Sequence, residues 1–183
     1  NGSTGYGYGD CGRELLDRVF ARLFGSQAAL VRLQFVSGTH AIACGLFGNL
    51  RPGQEMVCLT GDPYDTLATV IGLGNPGPGS LAEWGVSYRQ LDLLDSGLDL
   101  DGIASFLSPQ TRLVFLQRSR GYAWRNSLNV AQLGRAIERV RACCPQALIM
   151  VDNCYGELVE DHEPTQVGAD LVAGSLIKNL GGT

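Results

Sequence analysis

Short apolar runs alternate with helical stripes along the chain, and this alternation limits its fold more than any other feature. The runs predict strands over 55–59, 86–91, 113–116, 147–151 and 171–173, and alternation around Leu33 and Phe35 predicts another over 30–36. The stripes predict helices over 13–24, 39–49, 64–72, 99–107 and 130–142, the last capped by Asn129. Strands that alternate with helices form a mostly parallel sheet with helices on both faces, so we expect a three-layer α/β/α fold.

Composition narrows the class of protein. The chain has 183 residues, of which 45% are hydrophobic and 17% charged, which is typical of one globular domain over 1–183. A net charge of −4 argues against a nucleic-acid partner. No apolar run approaches the roughly 18 residues of a membrane span, and the start lacks a signal-peptide pattern. A small-molecule ligand is therefore the expected partner.

The six cysteines form no CxxC pair, and several lie within apolar runs. We expect reduced, mostly buried thiols in a cytoplasmic protein, because a disulfide framework is unusual at this size and spacing. The two histidines, His40 and His162, have no partners at metal-binding spacing, so no metal site is predicted.

Two residues near the ends of the last strands suggest a cofactor site. Asp152 follows five apolar residues, and a buried carboxylate is costly unless it meets a cation or strong donors. Lys178 is the only lysine among 14 basic residues, and it follows an apolar run. Pyridoxal phosphate requires both groups, a lysine amine for its aldehyde and a carboxylate for its ring nitrogen. The alternatives are an acid that caps a strand end and an exposed, solubilising lysine.

Three further segments follow predicted strands and could contribute to the same edge of the sheet. Ser37-Gly38-Thr39 opens a helix, whose free backbone N–H groups suit a phosphate, although a plain helix cap explains the same pattern. Tyr64 could stack on a flat cofactor or simply belong to a turn. The basic segment 117–122 could meet a carboxylate or phosphate, or could form a solvated loop.

The segments Val151-Asp152-Asn153-Cys154-Tyr155, Gly168-Ala169-Asp170-Leu171-Val172 and Ser175-Leu176-Ile177-Lys178 carry a resemblance to a known family. They resemble the cystathionine/methionine gamma-lyase group of fold-type-I pyridoxal-phosphate enzymes. Residues 115–122 and the glycine-rich start are more similar to the aluminium-resistance branch of carbon–sulfur lyases. The resemblance covers nearly the whole chain.

The resemblance implies a role for each matching residue. Lys178 would form the Schiff base and then move the alpha proton, Asp152 would hold the pyridine nitrogen, and Tyr64 would stack on the ring and serve as acid or base at the leaving group. Phosphate contacts would come from Ser37, Gly38, Thr39 and Ser175. Tyr6 or Tyr8 would reach the phosphate of a neighbouring subunit, so segment 1–25 would contact the partner in a homodimer or homotetramer.

Two positions depart from the gamma-lyase pattern. Ile177 replaces the threonine of the usual Ser-x-Thr-Lys motif, which removes one phosphate hydroxyl. The arginine that usually follows the N-terminal tyrosine is not evident, and Tyr8 lies near that place. The family's smaller C-terminal domain is absent from this chain, so we expect cofactor residues without a complete substrate site.

The function expected from the resemblance is a pyridoxal-phosphate-dependent lyase that cleaves a carbon–sulfur bond of an amino acid after forming a Schiff base and losing the alpha proton. The same Lys–Asp pair also serves an aminotransferase or an aldolase-like enzyme. A non-catalytic module that binds a phosphorylated ligand or an assembly partner is the third alternative.

Overall fold

The structure is a computed structural model that describes residues 9–74 and 76–182. Its described part contains a five-stranded sheet made of β1 (Glu55–Cys58), β2 (Ser87–Gln90), β3 (Thr111–Gln117), β4 (Leu148–Asp152) and β5 (Leu171–Ala173). The spatial order is β2-β1-β3-β4-β5, and every pairing is parallel. The predicted parallel sheet is thus confirmed.

The described helices are α1 (Cys11–Leu23), α2 (Gly38–Asn49), α3 (Asp65–Ile71), α4 (Ile103–Phe106) and α5 (Val130–Cys143), and a 3₁₀ turn covers Pro164–Val167. The predicted cap of α5 is confirmed. Asn129 accepts the backbone N–H of Gln132 at 2.8 Å, and the Gln132 side chain accepts the backbone N–H of Asn129 at 2.9 Å. This reciprocal capping box satisfies two N–H groups that a helix start otherwise leaves free.

Alternate residues of each strand point to opposite faces of the sheet, and each face carries its own core. Val57, Val114 and Ile149 pack on the side of α4 and α5. Met56, Phe115 and Met150 pack on the side of α2 and α3. Two separate cores flanking one sheet make the three-layer α/β/α architecture, and they confirm the predicted fold class.

The predicted strand over 30–36 is wrong. This segment joins no strand, and Leu33 and Val36 are 89% and 81% exposed. The segment is held on α1 instead, where Asp17 accepts the backbone N–H of Val31 at 2.9 Å and pairs with Arg32 at 2.6 Å. The alternation of apolar and polar residues therefore reflects an extended loop, and Ser37 does not lie at a strand end.

The predicted helix over 99–107 is mostly a turn. Only Ile103–Phe106 is helical, because the Asp99 carboxylate accepts the backbone N–H of Gly102 at 2.9 Å and closes a local turn first.

The prediction of mostly buried cysteines is partly wrong too. All six thiols are free, but Cys11, Cys44 and Cys143 are exposed.

In the described part of the chain, no helix is long and apolar enough to cross a membrane.

Candidate active site

The carboxyl ends of the parallel strands meet at one edge of the sheet, and Asp152 lies on that edge, between the ends of β3 and β5. It ends β4, and its register partners are Gln117 on β3 and Ala173 on β5. The loops that follow β1, β3, β4 and β5 therefore surround it. This placement matches the edge at which α/β sheets bind ligands.

The Asp152 carboxylate is buried, with 3% of the residue exposed. Its Oδ1 accepts the backbone N–H of Cys154 at 3.0 Å. Burial raises its pKa, while bonding from Cys154 and the charge of Lys178 oppose the rise. Among residues 9–74 and 76–182, no cation forms an ion pair with it. The site thus presents an acid that a cationic group would stabilise.

Lys178 lies in the turn after β5, half-buried, with its ammonium on an aromatic face. Its Nζ is 4.0 Å from the ring centroid of Tyr155. Tyr155 has a positive φ of 69°, a conformation that few non-glycine residues adopt. The loop after β4 therefore places the strained residue Tyr155 against the Nζ amine of Lys178, the only lysine of the chain.

The Ser37-Gly38-Thr39 turn forms the start of α2. Ser37 caps the helix by accepting the backbone N–H of His40 at 3.1 Å, so the plain capping interpretation is correct for this side chain. Gly38 lies so close to the β4 and β5 loops that an added Cβ would be 3.0 Å from Cys154 Sγ and 3.7 Å from Ser175 Cβ. The turn, Ser175 and the segment after Asp152 therefore meet, as the resemblance implies.

Tyr64 precedes α3 and reaches the same place. Its hydroxyl lies 3.1 Å from Thr39 Oγ1. Burial raises the pKa of Tyr64 to about 12, and the nearby negative charge of Asp152 adds to the rise. The phenol therefore keeps its proton at neutral pH. Tyr6 and Tyr8 lie outside the described residues.

A cavity of about 340 Å³ opens beside Tyr64, between the loops after β1 and β3. Its lining residues include Asp62, Asp65, Gln117 and Arg120. The Oε1 atom of Gln117 is buried there without a hydrogen-bond partner among the described residues. The cavity is of the size and mixed polarity that suit a small polar molecule.

The solvated-loop interpretation of segment 117–122 holds for Arg120 and Tyr122, which are exposed, but not for Arg118. Arg118 is neither solvated nor free for a ligand, because only 4% of it is exposed. Its guanidinium donates to the Asn153 side chain at 2.7 Å and to the Gly156 carbonyl at 2.6 Å, and it pairs with Glu160. Arg118 thus fixes the loop that carries Tyr155, while Arg120 is the basic residue that borders the cavity.

Three residues of this edge carry no role predicted from the sequence. Tyr155 contacts Lys178, Asn153 is fully buried between Arg118 and Glu163, and Glu157 is buried beside Ser175. A signal was present, since the five residues after Asp152 include an amide, an aromatic and an acid. The order of these residues in the sequence does not distinguish a buried loop from an exposed one.

Comparison with known proteins identifies the family. The family model for methionine gamma-lyase matches residues 1–183. The chain belongs to the methionine gamma-lyase family. Members of this family use pyridoxal phosphate.

Several similar proteins are uncharacterised or have only a suggested activity. The uncharacterised Bacillus subtilis protein YnbB is 48% identical over 182 residues, which cover 98% of this chain and 43% of YnbB. A Listeria monocytogenes structure, for which a cystathionine beta-lyase role in aluminium resistance has been suggested, is 49% identical with a TM-score of 0.93, covering 98% of this chain and 46% of that one. A carbon–sulfur lyase involved in aluminium resistance from Clostridium novyi is 48% identical with a TM-score of 0.92, covering 99% and 44%. The chain thus spans less than half the length of these relatives.

The residues at the sheet edge fit the cofactor of the family. Asp152 is a buried acid that has no paired cation among the described residues, as a protonated ring nitrogen requires. Gly38 lets the start of α2 pack closely against Cys154 and Ser175, and the free backbone N–H groups of a helix start suit a phosphate. Lys178 lies in the turn after the neighbouring strand β5. Within the described part of the chain, no three His, Cys, Asp or Glu side chains cluster as metal ligands.

Proposed function

We propose that this chain forms the cofactor-binding part of a pyridoxal-phosphate-dependent carbon–sulfur lyase that acts on a sulfur-containing amino acid. The observation that supports it most is that the buried Asp152, which forms no ion pair within residues 9–74 and 76–182, lies at the same sheet edge as the turn that carries the single lysine of the chain. The family and the named relatives support the reaction class.

Each residue has a distinct task in this proposal. The start of α2 and the hydroxyls of Ser37, Thr39 and Ser175 bind the phosphate. Asp152 holds the ring nitrogen in its protonated form. When bound, the cofactor supplies an aldehyde for the substrate amine and a cationic ring that takes up negative charge from the alpha carbon.

Lys178 and Tyr64 move the protons. The Lys178 amine would remove the alpha proton of the bound substrate. The carbon–sulfur bond then breaks, and Tyr64, which stays protonated up to about pH 12, gives its proton to the departing thiolate. Water completes the reaction, and the products are a thiol, ammonia and a 2-oxo acid. The cavity beside Tyr64 accommodates the sulfur-bearing side chain.

Borohydride reduction of the full-length protein with pyridoxal phosphate tests the cofactor. Reduction should leave a pyridoxyl group on Lys178, detected by peptide mass spectrometry, and Lys178→Ala should abolish both this mass and the visible absorbance. Asp101→Asn, whose side chain is 99% exposed, is the control that should change neither. Absence of the pyridoxyl mass from the wild-type peptide contradicts the proposal.

Product analysis separates the reactions. Cystathionine, cysteine or methionine should yield a thiol and a 2-oxo acid together, in equal amounts. A 2-oxo acid without a thiol, formed together with the aminated cofactor, would indicate an aminotransferase instead. An aldehyde and glycine from a hydroxy amino acid would indicate an aldolase-like enzyme.

We also propose that the protein is a cytoplasmic homo-oligomer. Helix α1 buries none of its residues in this chain, and its apolar side chains Leu15, Val19 and Leu23 are 55%, 43% and 49% exposed. Light scattering after gel filtration should report a dimer or tetramer. Val19→Glu should reduce the assembled fraction, whereas Arg18→Glu on the same helix should not, and a monomeric wild-type protein would overturn this part of the proposal.

A further inference from the structure

Glu157 is a buried carboxylate that neither the family pattern nor the proposed chemistry explains. It lies in the loop after β4, and 2% of it is exposed. Its Oε1 accepts the backbone N–H of Ser175 at 2.6 Å. Its Oε2 is buried without a hydrogen-bond partner among residues 9–74 and 76–182. A half-satisfied buried carboxylate is costly, which indicates a purpose other than stability.

Glu157 contacts the lysine turn on both sides of Lys178. Besides the bond to Ser175, its backbone carbonyl accepts the Asn179 side-chain amide at 2.8 Å. Gly174 lies so close that an added Cβ would be 2.8 Å from Oε1. One residue of the β4 loop therefore binds residues 174–179 at two points, Ser175 and Asn179, and Lys178 lies between them.

The segment around Glu157 is itself rigidly held. Arg118 binds the carbonyl of Gly156 at 2.6 Å, and Glu163 accepts the backbone N–H of Leu158 at 2.6 Å. Leu158 has a positive φ of 56°, so the surrounding contacts maintain a strained backbone. Glu157 thus links a loop that is itself held in place to the turn that carries Lys178.

We propose that Glu157 is the positioning residue for Lys178: it sets where the lysine turn lies relative to Asp152, and thereby how well the amine holds the cofactor. The inference rests on the proposed function, because it presumes that Lys178 binds the cofactor. Its direct consequence is that cofactor retention depends on Glu157 beyond any effect on folding.

Glu163 provides a matched control. It is equally buried, lies in the same loop and accepts a backbone N–H at the same 2.6 Å distance, but it contacts Leu158 and Asn153 instead of the lysine turn. Glu163→Ala removes two hydrogen bonds to the carboxylate and Glu157→Ala removes one, so Glu163→Ala should cost at least as much thermal stability. Only a positioning role makes them differ in cofactor binding.

The experiment measures the dissociation constant of pyridoxal phosphate and the borohydride-trapped fraction of Lys178 in the full-length variants. Glu157→Ala should weaken retention about ten-fold or more, the usual effect of losing an outer partner of a bound group. Glu157→Gln, which keeps the acceptor for Ser175, should restore most of it, and Glu163→Ala, which reaches the lysine turn only through the Glu157 segment, should weaken retention clearly less than Glu157→Ala does. Asn179→Ala removes the second hydrogen bond between Glu157 and the lysine turn, and Asn179 is exposed. This variant should also weaken cofactor retention, without endangering the fold.

Two results would overturn the inference. One is equal cofactor dissociation constants for Glu157→Ala, Asn179→Ala and wild type. The other is an equal loss in Glu163→Ala, which would make the effect a general one of stability. If the wild-type protein binds no cofactor, the proposed function fails first, and hydrogen exchange of residues 174–179 still decides whether Glu157→Ala frees the turn more than Glu163→Ala does.

Discussion

The ammonium of Lys178 rests on the ring face of Tyr155, 4.0 Å from its centroid. Tyr155 is 59% exposed, so the contact is one that water reaches. A cation–π contact of this kind is worth about 0.5–1 kcal/mol at an exposed site. The loop after β4 thus holds the Lys178 side chain against an aromatic ring until another group takes the amine.

Tyr155→Leu should therefore speed the reaction of Lys178 with an amine-directed reagent in cofactor-free protein. The contact energy corresponds to an acceleration of about two- to five-fold. Tyr155→Phe keeps the ring face and should react at the wild-type rate. Peptide mass spectrometry of the Lys178 peptide gives the rates, and equal rates for the Leu and Phe variants would contradict the role of the ring.

Asp152→Asn should stabilise the cofactor-free protein at neutral pH. Burial raises the pKa of Asp152, so ionising this carboxyl costs more in the folded than in the unfolded chain. The cost is absent below the ordinary Asp pKa and grows as pH rises through the folded value. We expect a gain on the order of 1 kcal/mol at neutral pH, and asparagine still accepts the Cys154 N–H.

Urea denaturation of wild type and Asp152→Asn at several pH values checks this prediction. The difference in unfolding free energy should shrink toward zero as the pH falls. Asp101→Asn should show no such trend, because that side chain is almost fully exposed. A difference that stays constant with pH would show that the charge of Asp152 is not the cause.

Glu55→Gln should have the opposite effect and the opposite pH dependence. Glu55 begins β1 and pairs with Arg89 at 2.7 Å, and the hydroxyls of Thr111 and Ser108 also donate to it. The bond to Arg89 is the largest cause that holds its pKa below the ordinary 4.5. The stabilisation is present above pH 4.5 and is lost as pH falls through the folded pKa.

The expected loss for Glu55→Gln at neutral pH is about 2 kcal/mol, the usual effect of removing hydrogen bonds to a buried charge. The same urea series measures it, and the loss should shrink at acidic pH. A loss that grows on acidification would contradict the assigned ion pair.

Gly38→Ala should destabilise the protein because the new Cβ would lie 3.0 Å from Cys154 Sγ. We expect a cost of about 1–2 kcal/mol, typical of overpacking, and weaker cofactor retention. Shortening the thiol side chain in Gly38→Ala/Cys154→Ala should recover most of that cost. A double-mutant cycle from chemical denaturation measures the coupling, and strictly additive effects would show that the two residues do not meet.

The sequence predicted the layers of the fold because local signals and burial agree there. Strand residues such as Val114 and Phe115 are apolar on both faces, as strands covered on both sides must be. The capping box of Asn129 is local and can be found by inspection. The strand predicted over 30–36 failed because its alternation lacked a partner strand, and a side-chain acceptor on α1 took the backbone N–H instead.

Site residues could be predicted from the sequence where the cofactor chemistry requires a particular residue type. Residues whose role depends only on how the loops pack could not be predicted. Asp152, Lys178, Tyr64 and the turn at Gly38 lie together because each follows a strand or opens a helix at one edge. Glu157 and Arg118 could not be assigned, since their roles depend on which loops fold over which. An arginine in a polar segment gives no sign that it will be buried at 4% exposure.

The buried guanidinium of Arg118 has a further consequence for how this edge opens. It joins the end of β3 to the carbonyl of Leu128 before α5 and to the loop after β4. Two crossover connections that are far apart along the chain thus share one buried charge, which cannot be left unpaired without a large penalty. Amide protons of both connections should therefore exchange with solvent together, as one cooperative unit, and not loop by loop.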